Sequence, residues 1–243
     1  HLTRCDRPEV AAEAFMEVWP EVPSSGSVAL ITSLVDSQGE VGDGAVPLHV
    51  VLAAAHRLAS AGASVQVVTC PGRLESAEAH DAAVEALRAD GVAVSTSGDG
   101  HSRDVDGEVL ASAGVLAAVL EAEHLALLGW SGPHHLLRIS GPLLTLGHAL
   151  TPGAREALWT GAARPEVLQN ALIELSAALV PGWVASWAGA PLNDEGEVPI
   201  YVLESPAPAG RRWGTELVLG NEELGTLIDD VRRLLDALRI ELA

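Results

Sequence analysis

The first half of the chain alternates between short apolar runs and longer segments whose apolar residues recur at helical spacing. The runs are rich in β-branched residues, as is typical of buried parallel strands. A glycine follows each helical segment within two residues, and glycine commonly terminates a helix. Strand, helix, strand, helix and strand in this order predict a parallel sheet with right-handed crossovers. The five segments are 27–35, 46–61, 64–69, 75–89 and 92–95.

The segments around this unit follow the same two patterns. Residues 8–19 carry apolar residues at helical spacing and predict a short helix, whereas the polar stretch 96–107 predicts a loop. Two apolar runs, 115–121 and 124–130, are separated by only two residues. Such a pair predicts a β-hairpin, and a single helix through 108–128 is the alternative because Ala and Leu dominate that stretch.

The last third of the chain has one clear helical segment at 165–180. Residues 198–204 and 213–219 predict strands on either side of a linker at 205–212. An amphipathic pattern over 222–240 predicts a terminal helix that closes the sheet. The order of elements therefore extends the α/β pattern of the first half.

The length of 243 residues suits one large α/β domain. We expect a single domain over 1–243, with a mainly parallel β-α-β-α-β sheet, a β-hairpin and helices on both faces. Within it, 27–132 forms the core half of the sheet and 133–212 an irregular and helical insertion. Residues 213–243 supply the closing strand and helix.

The net charge of the chain argues against two classes of binding partner. The chain has 33 acidic and 14 basic residues, a net charge of −19, and contains no Lys. So acidic a surface repels phosphate backbones and anionic membranes, which makes nucleic acid an unlikely partner and excludes a membrane partner. No apolar run has the length of a membrane span, and residues 1–7 lack the apolar stretch of a signal peptide, so we expect a cytoplasmic protein. Cys5 and Cys70 have no metal-ligand or redox spacing, and we expect no cofactor and no metal.

The order of elements over 27–132 resembles half of a phospholipase D-like domain. VALITSLVD, SVQVVT and EALRADGVAV are similar to the strands and the helix–turn of that superfamily, and LEAEHLALLGWSG is similar to the second arm of its catalytic hairpin. NEELGTLIDDVRRLLDAL is similar to the family's closing strand and terminal helix. The resemblance covers about half the chain and implies the family's motif, His-x-Lys, four residues, Asp, six residues, Gly-Ser-x-Asn.

The residues at the motif positions are not those of the family. When the motif is aligned on its glycine, Val115, Ala117 and Ala122 stand for its His, Lys and Asp, and Trp130 and Gly132 stand for its Ser and Asn. The family's His attacks phosphorus, and its Lys and Asn stabilise the phosphoryl oxygens. Apolar side chains perform neither task. The resemblance therefore implies a non-catalytic scaffold or interaction subunit of a bacterial multi-protein complex, with a protein partner or a second copy of the chain.

Two alternative hypotheses retain catalysis. His101, Arg103 and Glu108 have the spacing His-x-Arg, four residues, Glu, in which Arg can bind phosphate, and they predict a phosphodiesterase or nuclease. Ser131 lies within Gly-Trp-Ser-Gly-Pro, which approaches the nucleophile elbow of esterase-like hydrolases. A turn at the end of the hairpin also explains the second pattern.

Histidines and a cysteine are the remaining candidates. His124, His134, His135 and His148 raise the possibility of a metal site, although no Cys or carboxylate stands at ligand spacing. Cys70 follows a predicted parallel strand, where α/β folds place reactive groups, but a buried structural thiol is the commoner role.

Tryptophan dominates the aromatic residues, with six Trp against one Phe and one Tyr. Trp183 and Trp187 are four residues apart and predict a shared helix face. Such a face either packs in the core or anchors a partner.

Overall fold

Seven strands of the computed structural model form one central sheet. The structure describes residues 2–4, 12–13, 15–16, 19, 21–34, 46–70, 77–96, 98–130, 132–134, 138–140, 142–161, 164–189 and 200–204. The strands are β1 (Leu2–Arg4), β2 (Ser27–Thr32), β3 (Ser64–Val68), β4 (Ala93–Ser95), β5 (Gly100–Asp104), β6 (Ser112–Leu116), β7 (His124–Trp130), β8 (Gly132–His134), β9 (Arg138–Ser140), β10 (Trp183–Gly189) and β11 (Ile200–Glu204). The helices are α1 (Leu48–Ser60), α2 (Ala77–Ala89), α3 (Ala117–Leu120), a 3-10 helix (Pro142–Ala149), α4 (Pro152–Gly161) and α5 (Pro165–Leu179).

The central sheet has the order β1-β11-β10-β7-β2-β3-β4. The five strands from β10 to β4 are parallel, and β11 and β1 add an antiparallel edge. Two short antiparallel pairs, β5 with β6 and β8 with β9, lie outside this sheet. The structure therefore confirms the predicted α/β class with a mainly parallel sheet.

The strand–helix alternation over 27–95 is confirmed, with β2, α1, β3, α2 and β4 in the predicted places. Gly62 follows α1 with φ of +108°, and a Cβ there would lie 2.6 Å from the carbonyl oxygen of Ser24. This turn therefore requires a residue without a side chain. The glycine from which the end of this helix was predicted therefore meets a steric requirement of the turn.

Each face of the sheet carries its own apolar core because successive strand residues point to opposite faces. Val28 and Leu30 of β2 face α1 and α2, whereas Ala29 and Ile31 face the 3-10 helix, α4 and α5. All four residues are fully or almost fully buried. Burial of each large apolar side chain contributes about 1.5–3 kcal/mol, so helices on both faces hold the sheet.

The predicted hairpin of 115–121 with 124–130 is wrong. Residues 124–130 do form strand β7, but β7 lies between β2 and β10 and is parallel to both. The first arm is divided between β6 and α3, and β6 pairs with β5 instead. The predicted loop at 96–107 is therefore also wrong, because it contains β5. Four of the five β5 residues are exposed, so no apolar alternation marks this strand.

The second half of the chain is confirmed at two elements, α5 and β11, where 165–180 and 198–204 predicted a helix and a strand. The predicted helix face shared by Trp183 and Trp187 is wrong, because both residues belong to β10. Positions four apart share a face in a strand as well as in a helix.

Some predicted segments fall wholly or partly outside the described residues. The linker, strand and helix predicted at 205–212, 213–219 and 222–240 lie outside the described residues. Of the helix predicted at 8–19, Ala12, Glu13, Phe15 and Met16 are described and helical. The division of the chain into domain parts stays a prediction. Among the helices that the structure describes, none combines the length and apolar character needed to cross a bilayer.

Candidate functional site at the carboxyl edge of the sheet

Polar residues collect where two neighbouring parallel strands end. Thr32 and Ser33 lie at the end of β2, and Thr69 and Cys70 directly follow β3. All four are buried. Parallel strands present their carboxyl ends at the same edge, which is where open α/β sheets bind their ligands. This edge is therefore the candidate functional site.

Cys70 is held at this edge by the 3-10 helix and by the end of β4. Its backbone N–H donates a hydrogen bond to Nδ1 of His148 at 3.3 Å, and its thiol donates to the carbonyl oxygen of Thr96 at 3.2 Å. Burial raises the pKa of the Cys70 thiol, and the positive charge of Arg155 offsets only part of that rise. With its pKa raised, Cys70 stays a protonated thiol near neutral pH. It is therefore a poor nucleophile, because the thiolate is the reactive form.

His148 is held in its neutral form. Burial, followed by the positive charge of Arg155, lowers the pKa of His148 from 6.5 to about 3. In neutral imidazole one nitrogen donates and the other accepts. Since Nδ1 accepts from the backbone of Cys70, the proton resides on Nε2. His148 is thus a hydrogen-bond donor at neutral pH and too weakly basic to remove a proton efficiently.

His80 and Arg155 complete the group. His80 of α2 is fully buried, and its Nε2 has no hydrogen-bond partner in the described part of the chain. Burial lowers the pKa of His80, against the raising influence of Asp81, whose Oδ1 lies 3.6 Å from Nδ1. Arg155 of α4 influences the protonation of Cys70, His80 and His148 alike. The guanidinium therefore lies within electrostatic reach of all three.

The positive charge of Arg155 is not neutralised by an ion pair among the described residues. The hydroxyl of Thr69 is buried and likewise has no hydrogen-bond partner in that part of the protein. A cation, a neutral imidazole and a hydroxyl can recognise a small anion that also carries a polar group. With a protonated thiol and a weakly basic imidazole, the arrangement favours binding over nucleophilic chemistry.

The phosphodiesterase candidates lie elsewhere. His101 and Arg103 are exposed neighbours on the same side of β5, and Glu108 lies in the loop between β5 and β6. The backbone N–H of Glu108 donates to the Glu174 carboxylate at 2.8 Å. None of the three is among the groups that shift the pKa of Cys70, His80 or His148. A phosphodiesterase activity at these residues stays a prediction.

The remaining candidate residues are not brought to the carboxyl edge. His124 begins β7 at the opposite edge, where its ring contacts Trp183 edge-on with 5.4 Å between centroids. Ser131 and His135 lie outside the described residues, and of His134 only the backbone position in β8 is described. Over the part of the chain that the structure describes, no three His, Cys, Asp or Glu side chains converge to hold a metal ion.

Sequence reasoning missed His80, Thr69 and Arg155. A signal for His80 was present, because it shares helical spacing with the buried residues Val84 and Leu87 of α2. Thr69 directly precedes Cys70, which the sequence did single out. Arg155 carries no comparable signal, since it lies far along the chain in a helix of mixed composition.

One solved structure has a fold similar to that of this chain. No family model and no curated protein matches the chain. The solved structure of the lactate racemase apoprotein from Thermoanaerobacterium thermosaccharolyticum is similar, with a TM-score of 0.58 and 12% sequence identity. The match covers 90% of this chain and 57% of the racemase chain, so this chain spans little more than half of that protein's length. At this identity the similarity shows the fold alone.

The resemblance to phospholipase D-like proteins is therefore wrong. It rested on the order of elements over 27–132, with a catalytic hairpin at its end, but among the described residues β6 pairs with β5 and β7 is a central parallel strand. Val115, Ala117 and Ala122 are not the remains of a catalytic motif. The chain has an α/β fold similar to that of the lactate racemase apoprotein.

Proposed function

We propose that this α/β unit binds a small hydroxycarboxylic acid at the carboxyl edge of its sheet, beside Cys70, His148 and Arg155. The observation that carries the proposal is the charge of Arg155, which acts on three buried groups and has no ion-pair partner among the described residues. The fold similarity to a lactate racemase supports the substrate class, because lactate is a hydroxycarboxylic acid.

A negatively charged ligand must approach a protein whose net charge is −19. Repulsion from exposed carboxylates fades beyond about 8 Å at physiological ionic strength, so the charge nearest the ligand decides its binding. An Arg guanidinium matches a carboxylate with two parallel hydrogen bonds. At the site itself the attraction of Arg155 opposes the repulsion of Asp81, whose Oδ1 lies 3.6 Å from Nδ1 of His80.

The ligand's hydroxyl group would be recognised by a neutral partner. The proton on Nε2 of His148 supplies a donor for this hydroxyl group. A ligand without the hydroxyl leaves this donor unpaired, which lowers its affinity. The protonated thiol of Cys70 takes no covalent part.

Isothermal titration calorimetry with lactate tests the proposal. Arg155→Gln should weaken lactate binding by about tenfold or more, as expected for loss of a charge-assisted pair. Arg164→Gln is the matched control, because Arg164 is an exposed arginine just before α5. Propanoate, which lacks the hydroxyl, should bind wild-type protein more weakly than lactate. Absence of binding at millimolar lactate, or equal losses in both variants, would contradict the proposal.

A further inference from the structure

A cavity of about 260 Å³ opens at the other end of the sheet. It lies at the amino-terminal edge, where His124 begins β7 and Trp183 begins β10. Leu120 of α3 and the residues that follow α5 complete its walls. Its volume lies just below the range of roughly 300–1,000 Å³ that holds drug-sized ligands, so it suits a smaller metabolite.

Two opposite charges line this cavity without neutralising each other. Arg103 of β5 donates one hydrogen bond from Nη2 to the carbonyl oxygen of Ala178 at 3.4 Å, which engages one of its five N–H groups. Arg103 and Glu123 are not within 4 Å of each other, and neither forms an ion pair with another described residue. Within the part of the chain that the structure describes, each charge is therefore open to a ligand.

The backbone of Glu123 is hydrogen-bonded to the start of β2. Its backbone N–H donates to Oγ of Ser27 at 3.0 Å. Its carboxylate lies against Gly26, where an added Cβ would come within 2.9 Å of Oε2. Glu123 is an exposed residue whose backbone is held by Ser27, and its carboxylate supplies the negative charge of the cavity.

An aromatic pair forms a fixed wall of the cavity. The rings of His124 and Trp183 meet edge-on, and the indole N–H of Trp183 donates to the carbonyl oxygen of Glu21 at 2.6 Å. The hydrogen bond and the ring contact hold the indole in one orientation. Leu120 and Leu125 add apolar surface to the same cavity. A ligand here meets two charges and an apolar surface.

We infer that this cavity binds a free α-amino acid with an apolar side chain. The carboxylate of the amino acid pairs with Arg103, its ammonium group pairs with Glu123, and its side chain lies against Leu120 and Trp183. A zwitterion gains an ion pair with each charge, whereas an anion or a cation alone gains only one. The site is separate from the carboxyl edge and does not depend on the function proposed for it.

L-leucine and two analogues separate the contributions of the two charges. 4-Methylpentanoate lacks the ammonium group, and isopentylamine lacks the carboxylate. Leucine should bind wild-type protein about tenfold more tightly than either analogue. Tryptophan emission should change on binding, and Trp183→Phe should remove that change. Binding of either analogue as tight as that of leucine, or no binding of leucine, would overturn the inference.

Charge variants give the sharper result. Arg103→Gln should remove the preference for leucine over isopentylamine, and Glu123→Gln should remove its preference over 4-methylpentanoate. Arg164→Gln and Glu121→Gln are exposed controls outside the cavity lining and should retain both preferences. Circular dichroism establishes that each variant is folded. Retention of both preferences in Arg103→Gln and Glu123→Gln would refute the assignment.

Discussion

Replacing Glu174 by Gln should loosen the loop between β5 and β6 from helix α5. The Glu174 carboxylate accepts hydrogen bonds from three successive backbone N–H groups, those of Glu108 at 2.8 Å, Val109 at 3.1 Å and Leu110 at 2.8 Å. A Cβ at Gly107 would overlap the same carboxylate, so the loop and the side chain are closely fitted. A charge shared by three donors is the main tether of this loop.

The magnitude follows from the donors that lose an acceptor. Gln keeps one carbonyl oxygen for one side of the loop, while its NH₂ group faces a backbone N–H on the other side. Hydrogen bonds to charged groups contribute about 1.5–3 kcal/mol each, and water replaces part of that value because Glu108 and Val109 are exposed. We expect a loss of about 1.5 kcal/mol, or roughly 3–6 °C in Tm for a domain of this size.

Thermal unfolding by circular dichroism measures the global loss, and hydrogen exchange at residues 108–110 measures the local one. Exchange of these three amides should accelerate in Glu174→Gln while that of β2 amides follows global stability only. Glu156→Gln, which removes an exposed carboxylate on α4, is the control and should unfold at nearly the wild-type temperature. If both variants unfolded together with unchanged exchange at 108–110, the tether would not exist.

Three other substitutions test further features, each by urea denaturation. His148→Asn keeps an acceptor for the Cys70 amide but removes a group whose folded pKa of about 3 lies below its ordinary 6.5. Between those two pH values the unfolded state binds a proton at this histidine and the folded state does not. The free energy of unfolding of wild type should therefore fall by about 1–3 kcal/mol more than that of the variant from pH 7 to 4.5. Parallel curves of stability against pH would contradict this. Val180→Gly should stabilise the protein by about 0.5–1 kcal/mol, because Val180 has φ of +48° at the end of α5, and a loss would count against backbone strain. Gly129→Ala should cost about 1–3 kcal/mol, because its Cβ would overlap Pro142, and an unchanged midpoint would refute that contact.

Local patterns predicted the elements of the sheet better than their partners. The apolar runs of β2, β3 and β7 mark inner strands of the parallel sheet, and all three were predicted as strands. The neighbours of β7 could not be predicted, because a short link to the preceding run favours a hairpin and nothing local indicates a parallel partner. The β5 strand escaped prediction for another reason, since its exposed residues carry no alternation of burial.

At the candidate site, too, single residues were predicted but their neighbours in space were not. Cys70 and His148 were each singled out, one for its place after a strand and the other among possible metal ligands. Their hydrogen bond joins residues 78 positions apart, and only the docking of the 3-10 helix on the sheet brings them together. The electrostatic reach of Arg155 depends on the same packing, so no spacing rule could have placed it there.

The central position of β2 has a consequence for how the chain is made. Val28 pairs with Val65 on one side and with His124 on the other, so one neighbour of β2 is synthesised soon after it and the other much later. When synthesis has reached β4, the apolar strand β2 therefore has unpaired backbone groups along the edge that later pairs with β7. Such an edge is a template for pairing with other chains, and non-local pairing of this kind is slow. We expect aggregation during synthesis to be most acute until β7 has left the ribosome and inserted beside β2.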